Sequence, residues 1–312
     1  MENKAFYNIE SDGQEQYIVV GNRRFFLNTD VDNFPVSELD VLGRDDKVRE
    51  VLSAISGTYP FNPLIVGHPG VGKTTFVSYL AHSLGKNLFV ITGQKNKEES
   101  EFGYFILPPD PSHPYFDFRL SKLGTALITG SWIYVDDLPK LSGSCLDILI
   151  PVTDHRRKLE LLDNGLSLRA HPDFRFIASC NTGEEKLLQP HIKSRLKPVI
   201  HFKNLDISVL DEIIRKEFRN SQAKTERAIA CFWGWWFEKH THDEDLPTPR
   251  EVIQVFNYAF NLTAHDQDQP KNGQNGKHLH GFSQESVHIP PIVDNENLKH
   301  SMNLFLNGYD QN

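Results

Sequence analysis

The sequence predicts an α/β fold, a parallel sheet core flanked by helices and followed by a small all-α lid. Three observations carry that expectation. Between residues 44 and 202, short apolar runs alternate with segments of helical periodicity. A glycine-rich turn, Gly67-His68-Pro69-Gly70-Val71-Gly72-Lys73-Thr74-Thr75, stands between a buried apolar run and a long helical segment. After Leu205 the pattern becomes helical alone.

The elements follow in order. Residues 1–40 form a polar N-terminal extension, in which Tyr17-Ile18-Val19-Val20 and Arg24-Phe25-Phe26-Leu27 predict a small hairpin. Residues 41–204 form the core. It opens on a helix over 44–56, whose apolar positions Val48, Val51, Leu52 and Ile55 share one face. Strands are expected at 64–66, 88–92, 132–135, 174–179 and 199–202, and helices at 73–84, 120–129 and 141–153. The lid, residues 205–263, holds helices over 209–220, 224–239 and 250–262. Within it, Phe232-Trp233-Gly234-Trp235-Trp236-Phe237 is either core or a docking face. Residues 264–312 read as a flexible tail rich in Gln, Asn, His, Gly and Pro, with Met302 to Leu306 as a stretch able to dock as a short helix.

Composition bounds the function. Apolar residues make up 39% and charged residues 24%, which fits a soluble globular chain. A formal charge of -8 counts against nucleic acid as the partner. Cys145, Cys180 and Cys231 lack metal-ligand spacing and read as thiols of a reducing compartment. No apolar run reaches the roughly 20 residues of a membrane span. The first ten residues lack the apolar core of a signal peptide, so the expected location is cytoplasmic.

Gly67-x4-Gly72-Lys73-Thr74 satisfies the Walker A spacing. Glycines let the backbone turn its N–H groups toward phosphate, and the helix N-terminus adds partial positive charge. Residues 67–75 are therefore the expected ATP cradle, with Lys73 on the β and γ phosphates and the Thr74 hydroxyl on Mg²⁺. The apolar run Trp132 to Val135 ends in Asp136, the second Mg²⁺ carboxylate, and in Asp137, which would polarise the attacking water.

With these motifs the chain resembles AAA+ ATPases of the MoxR type, in the branch with an insertion in helix 2. Residues 171–182 resemble the strand that ends in the sensor 1 asparagine, here Asn181. Residues 152–159, VTDHRRKL, resemble a segment of the CbbQ/NorQ/NirQ group. Residues 192–202 resemble the arginine-finger segment, which points to Arg195, with Lys193 and Arg169 as rivals. Pro247-Thr248-Pro249-Arg250 resembles sensor 2, and residues 24–31 are similar to the ATPase subunit of cobalt chelatase.

The resemblance implies that Asn181 orients water, that Arg195 acts in trans on a neighbour's γ-phosphate, and that Arg250 serves a nucleotide from the lid. It implies a ring of six subunits, a von Willebrand A domain companion and a client protein. Residues 41–44 and Val209 flank the base by analogy. Relatives carry Asp-Glu where this chain has Asp136-Asp137, so slow turnover is expected, because misplacement by about 1 Å can cost 10²-fold.

Two insertions would deliver the work. Glu101 to Phe118 would project toward the pore or top face, its aromatics either gripping a substrate or packing on the body. Lys158 to Ala170 reads as a hairpin around Asp163-Asn164-Gly165, preceded by Arg156-Arg157 as an interface or pore-facing charge pair. Three other readings stand beside a partner-remodelling motor. They are a cobalt- or magnesium-chelatase-like ATPase subunit, a nucleic-acid-directed NTPase of a defence system, and a non-hydrolysing ATP switch.

Overall fold

A computed structural model of the protein describes residues 7–13, 15–21, 23–32, 34–57, 60–108, 116–161, 165–218, 222–239, 246–268 and 295–306. The chain divides into two compact units, Met1–Lys203 and Asn204–Asn312. In chain order the first unit holds β1 (Ile9–Asp12), β2 (Glu15–Val20), β3 (Arg23–Phe26), α1 (Asp45–Ile55), β4 (Leu64–Gly67), α2 (Lys73–Ser83), β5 (Leu88–Thr92), β6 (Tyr104–Leu107) and β7 (Asp117–Leu120). There follow α3 (Lys122–Thr129), β8 (Trp132–Asp136), α4 (Gly143–Thr153), β9 (Lys158–Leu161), β10 (Leu166–Arg169), β11 (Arg175–Cys180), α5 (Pro190–Lys193) and β12 (Val199–Phe202). The second unit holds α6 (Ile207–Glu217), α7 (Gln222–Lys239), α8 (Pro249–Asp268) and α9 (Asn295–Leu306).

The central sheet runs β12-β4-β11-β8-β5, and every pairing in it is parallel. Its strands read as unbroken apolar runs because helices cover both faces. Leu64, Ile65 and Val66 of β4 are buried, as are Trp132 to Val135 of β8. One side packs on α1 and α2 through Val51, Ile55, Phe76 and Val77, the other on α3 and α4 through Leu123, Leu127, Cys145 and Leu149. The register sets Phe202 beside Gly67, Cys180 beside Val66, and Asp136 beside Thr92. All the carboxyl ends therefore reach one edge, where ligands bind in open parallel sheets.

A second sheet was only partly foreseen. The expected N-terminal hairpin is β2 against β3, with Ile18 opposite Phe25. The order of the whole sheet is β1-β2-β3-β7-β6. The two ends of the insertion over 101–118 thus do not project freely. Phe118 lies across from Phe25 in a parallel pair, and their rings stack with centroids 5.1 Å apart. Tyr104 meets Phe25 edge-on at 5.8 Å, and Phe102 is fully buried. Phe105 and Phe116 are exposed. Tyr115 lies outside the described residues. Tyr104 and Phe118 pack on the body because their partner, Phe25, is supplied by a distant stretch of chain. Asp32 fastens the extension to the core, accepting from Val90 N at 2.6 Å and from Lys122 Nζ at 2.9 Å.

β9 and β10 form the expected hairpin, with Leu159, Leu161 and Leu168 buried. Asp163 and Asn164 of its turn lie outside the described residues.

In the second unit, Phe232, Trp233 and Trp236 are buried, and Phe232 packs on Phe256 of α8 at 5.7 Å. Trp233 Nε1 donates to Asp211 at 2.6 Å. The aromatic cluster is core, apart from half-buried Trp235 and exposed Phe237. The stretch expected as a flexible tail from residue 264 is helical at both described ends. α8 runs on to Asp268, and α9 lays Leu298 and Met302 into the unit while Ser301 Oγ donates to Val255 O at 2.7 Å. Leu298 and Met302, one turn apart, give this helix its buried face, and Met302 to Leu306 is the stretch expected to dock as a short helix. Residues 269–294 lie outside the described residues.

Candidate nucleotide site

β4 carries the chain into the glycine turn. Gly67 has no room for a side chain, since a Cβ there would lie 2.8 Å from the Phe202 carbonyl oxygen. Gly70 and Gly72 hold φ of 82° and 92°, a region glycine enters without a steric cost. α2 starts at Lys73 with no side-chain cap, which leaves its first N–H groups for an anion. Arg44 braces the loop. Its guanidinium donates to Val71 O at 3.3 Å and lies 4.9 Å over the Phe202 ring, and burial lowers its pKa to about 10.

Lys73 is buried, and its ammonium donates to Gly67 O at 2.7 Å, His68 O at 3.1 Å and Asn181 Oδ1 at 3.1 Å. Burial pulls its pKa down, against the nearby charges of Asp136 and Asp137. Thr74 Oγ1 donates to Asp136 Oδ2 at 2.9 Å. The other oxygen of Asp136 is held from within the sheet: Tyr134 donates to Ser179 Oγ at 2.8 Å, and Ser179 donates to Asp136 Oδ1 at 2.5 Å. Complete burial raises the Tyr134 phenol well above its ordinary pKa, so it remains a donor. One carboxylate oxygen is thereby anchored and the other is presented toward Thr74.

Asp137 follows with φ 53° and ψ 43°, a left-handed conformation that Asp tolerates better than most residues. Asn181 Nδ2 donates to its Oδ1 at 3.3 Å. Gly93 makes this turn possible, because a Cβ at Gly93 would lie 2.1 Å from the Asp137 carbonyl oxygen. The structure therefore gathers Lys73, Thr74, Asp136, Asp137 and Asn181 at one sheet edge.

Arg195 is elsewhere. It precedes β12 by four positions, and its carbonyl accepts from Asn62, two residues before β4, at 3.2 Å. Because β12 and β4 run parallel, Arg195 lies at the amino-end edge of the sheet, opposite the cradle. Its side chain is 30% exposed and rests 3.9 Å from Asp154, and its buried Nε has no hydrogen-bond partner. Arg250 lies in the second unit, exposed in the first turn of α8. There Thr248 and Glu251 form a reciprocal cap, with Thr248 N donating to Glu251 at 2.7 Å.

The pair Arg156-Arg157 is not a matched pair of free charges. Arg157 is tucked inward, donating to Phe174 O at 3.0 Å, while exposed Arg156 forks onto Asp154 at 2.7 to 3.1 Å. Sequence reasoning missed Tyr134, Ser179, Gly93 and the brace by Arg44. The one readable signal was a tyrosine inside an otherwise aliphatic and indole run.

Residues 62–196 match the AAA domain of the dynein-related subfamily. Protein CbbQ of Hydrogenophilus thermoluteolus is 24% identical over 225 residues, 72% of this chain and 74% of that protein. Protein NorQ of Paracoccus denitrificans is 28% identical over 149 residues, 47% of this chain and 53% of its own length. The RuvB Holliday junction branch migration motor of Thermotoga maritima shares the fold, with a TM-score of 0.54 at 14% identity over 86% of this chain and 72% of that one. No described helix is long and apolar enough to cross a membrane. With its cradle and its sheet, the chain carries an AAA domain of the dynein-related subfamily over residues 62–196 and is similar to CbbQ, NorQ and NirQ.

Proposed function

We propose that the protein is a Mg²⁺-dependent ring motor that hydrolyses ATP to remodel or activate a partner protein, working with a von Willebrand A domain companion. The observation that carries this reading is the opposed placement of two sets of residues. Lys73, Thr74, Asp136, Asp137 and Asn181 meet at one edge of the sheet, whereas Arg195 sits at the other. An arginine so placed cannot serve the cradle of its own subunit, but it is available to a neighbour's. A head-to-tail contact of this kind closes most simply as a ring, for which the family resemblance suggests six copies.

Thr74 Oγ1 and Asp136 Oδ2 form a hard-oxygen donor pair 2.9 Å apart, which fits Mg²⁺. When bound, Mg²⁺ would neutralise charge on the phosphate oxygens. The chain's own residues do the remainder. The P-loop N–H groups bind and orient the triphosphate. Lys73 exchanges its carbonyl partners for phosphate oxygens. Asp137 and Asn181 orient water, and Arg195 of the next subunit stabilises the charge of the transition state. Arg250 would act from the lid. NirQ's name as a denitrification regulatory protein, and the relation to CbbQ and NorQ, support activation of a partner enzyme as the task.

The test is to mix a Lys73→Ala chain with an Arg195→Ala chain. The Arg195→Ala chain alone is expected to lose at least about 10³-fold in turnover, the lower end for an arginine finger, and the Lys73→Ala chain should be inactive as well. The mixture should regain activity, because some interfaces then pair an intact cradle with an intact finger. A mixture no more active than the sum of its parts defeats the shared-site reading.

A further inference from the structure

The turn after β8 contains a contact that nucleotide binding does not call for. Asp137 leads into the 3-10 turn Leu138–Lys140, and in such a turn side chains three apart eclipse. Lys140 therefore folds back, and its Nζ lies 2.6 Å from Asp137 Oδ2. The other oxygen, Oδ1, already accepts from Asn181 Nδ2 at 3.3 Å. Asn181 in turn accepts from Lys73 at 3.1 Å. A continuous row, Lys73 to Asn181 to Asp137 to Lys140, thus runs from the buried cradle to the surface. Lys140 is 44% exposed and Asp137 is 24% exposed.

A carboxylate that is to orient water must offer it a lone pair in the right direction. Here each oxygen of Asp137 holds a donor, and the nearer donor is a cation. We propose that Lys140 is a positioning residue that restrains Asp137 and acts as a brake on hydrolysis. The inference rests on the proposed role of Asp137 in orienting water. The short side chain matters, because it keeps the carboxylate close to its own backbone, within reach of a lysine only three residues on. The brake operates through an exposed pair, so its strength is modest and it can be overcome during turnover.

The experiment uses the full-length assembled protein and measures steady-state ATP turnover for the natural chain, Lys140→Met and Lys140→Arg. Lys140→Met is expected to raise kcat about two- to fivefold, the span an exposed ion pair sustains, with KM for ATP unchanged. Lys140→Arg retains a cation and should stay near the natural rate. A second readout is independent of turnover. Acylation of Lys140 by an amine-reactive reagent, followed by mass spectrometry, should be faster in Asp137→Asn than in the natural chain, since the pairing raises the Lys140 pKa. An unchanged or lower kcat in Lys140→Met, or equal acylation in the two chains, overturns the brake. Asp137→Ala in each background separates the two readings. If it abolishes turnover in both, the role of Asp137 stands whatever becomes of Lys140. If turnover persists, the role of Asp137 falls and the brake falls with it.

Discussion

Asp136 is aimed by its neighbours. Ser179 and Tyr134 occupy one of its oxygens, so that the second faces Thr74. Tyr134→Phe removes the phenol from that relay and leaves a buried hydroxyl short of a donor. It should cost about 1 kcal/mol of stability and raise the Mg²⁺ concentration needed for half-maximal turnover. Urea unfolding and a Mg²⁺ titration measure the two, and a variant indistinguishable in both would show that the relay does not aim the carboxylate. Gly93 gives a sharper case. An added methyl would meet the Asp137 carbonyl at 2.1 Å, so Gly93→Ala must displace the turn itself. A loss of about 1 to 3 kcal/mol, with turnover near background, is expected. Asp137→Glu should run faster if reach limits the natural residue, although glutamate suits the left-handed turn less well than aspartate. A rate no higher than the natural one would remove the reach of Asp137 as a limit on turnover. Cys180, fully buried beside the site, has its thiol pushed up to about 12 by burial and by nearby Glu185 and Glu184. It should resist alkylation at pH 8 in the folded protein and react on unfolding, as mass spectrometry after a timed iodoacetamide pulse would record.

At the scale of elements, the central sheet was legible because its strands are buried on both faces. Val199–Phe202 and Leu88–Thr92 could be bounded to the residue from runs such as LFVIT alone. The phosphate turn was legible because glycine spacing, a preceding strand and a following helix are all local signals. The second sheet was legible only in its β2–β3 hairpin. Its strands are four to six residues long, and the pairing of β3 with β7 joins stretches more than ninety residues apart, which no periodicity reveals. Tyr134 and Ser179 escaped notice for the same reason: their contact crosses from one strand to the next. The second half of α9 was legible as a stretch able to dock as a helix, whereas its first turns lie in polar surroundings. α9 covers α8 through Leu298 and Met302, so ending the chain at residue 294 should lower the melting temperature of the helical unit. Fragment 204–294 compared with 204–312 by circular dichroism makes that test, and equal melting would mean that α9 adds nothing to packing.

At the scale of the whole molecule, each unit has its own interior. The first gathers its apolar side chains around the parallel sheet, and the second around Phe232, Trp236 and Phe256. A chain ending at Lys203 is therefore expected to unfold cooperatively in urea, and a broad, structureless transition would contradict it. The proposed division of labour between neighbours, with one subunit's cradle facing another's arginine, was half legible. The residues could be picked out of their motifs, but their opposite placement needed the register of β12 on β4.

The stitching of β7 to β3 has a mechanical meaning. The end of the insertion that carries Phe118 is pinned to the N-terminal strands through the stacked pair Phe25 and Phe118. A shortened chain beginning at α1 would keep its phosphate cradle and leave Phe118 without its partner ring.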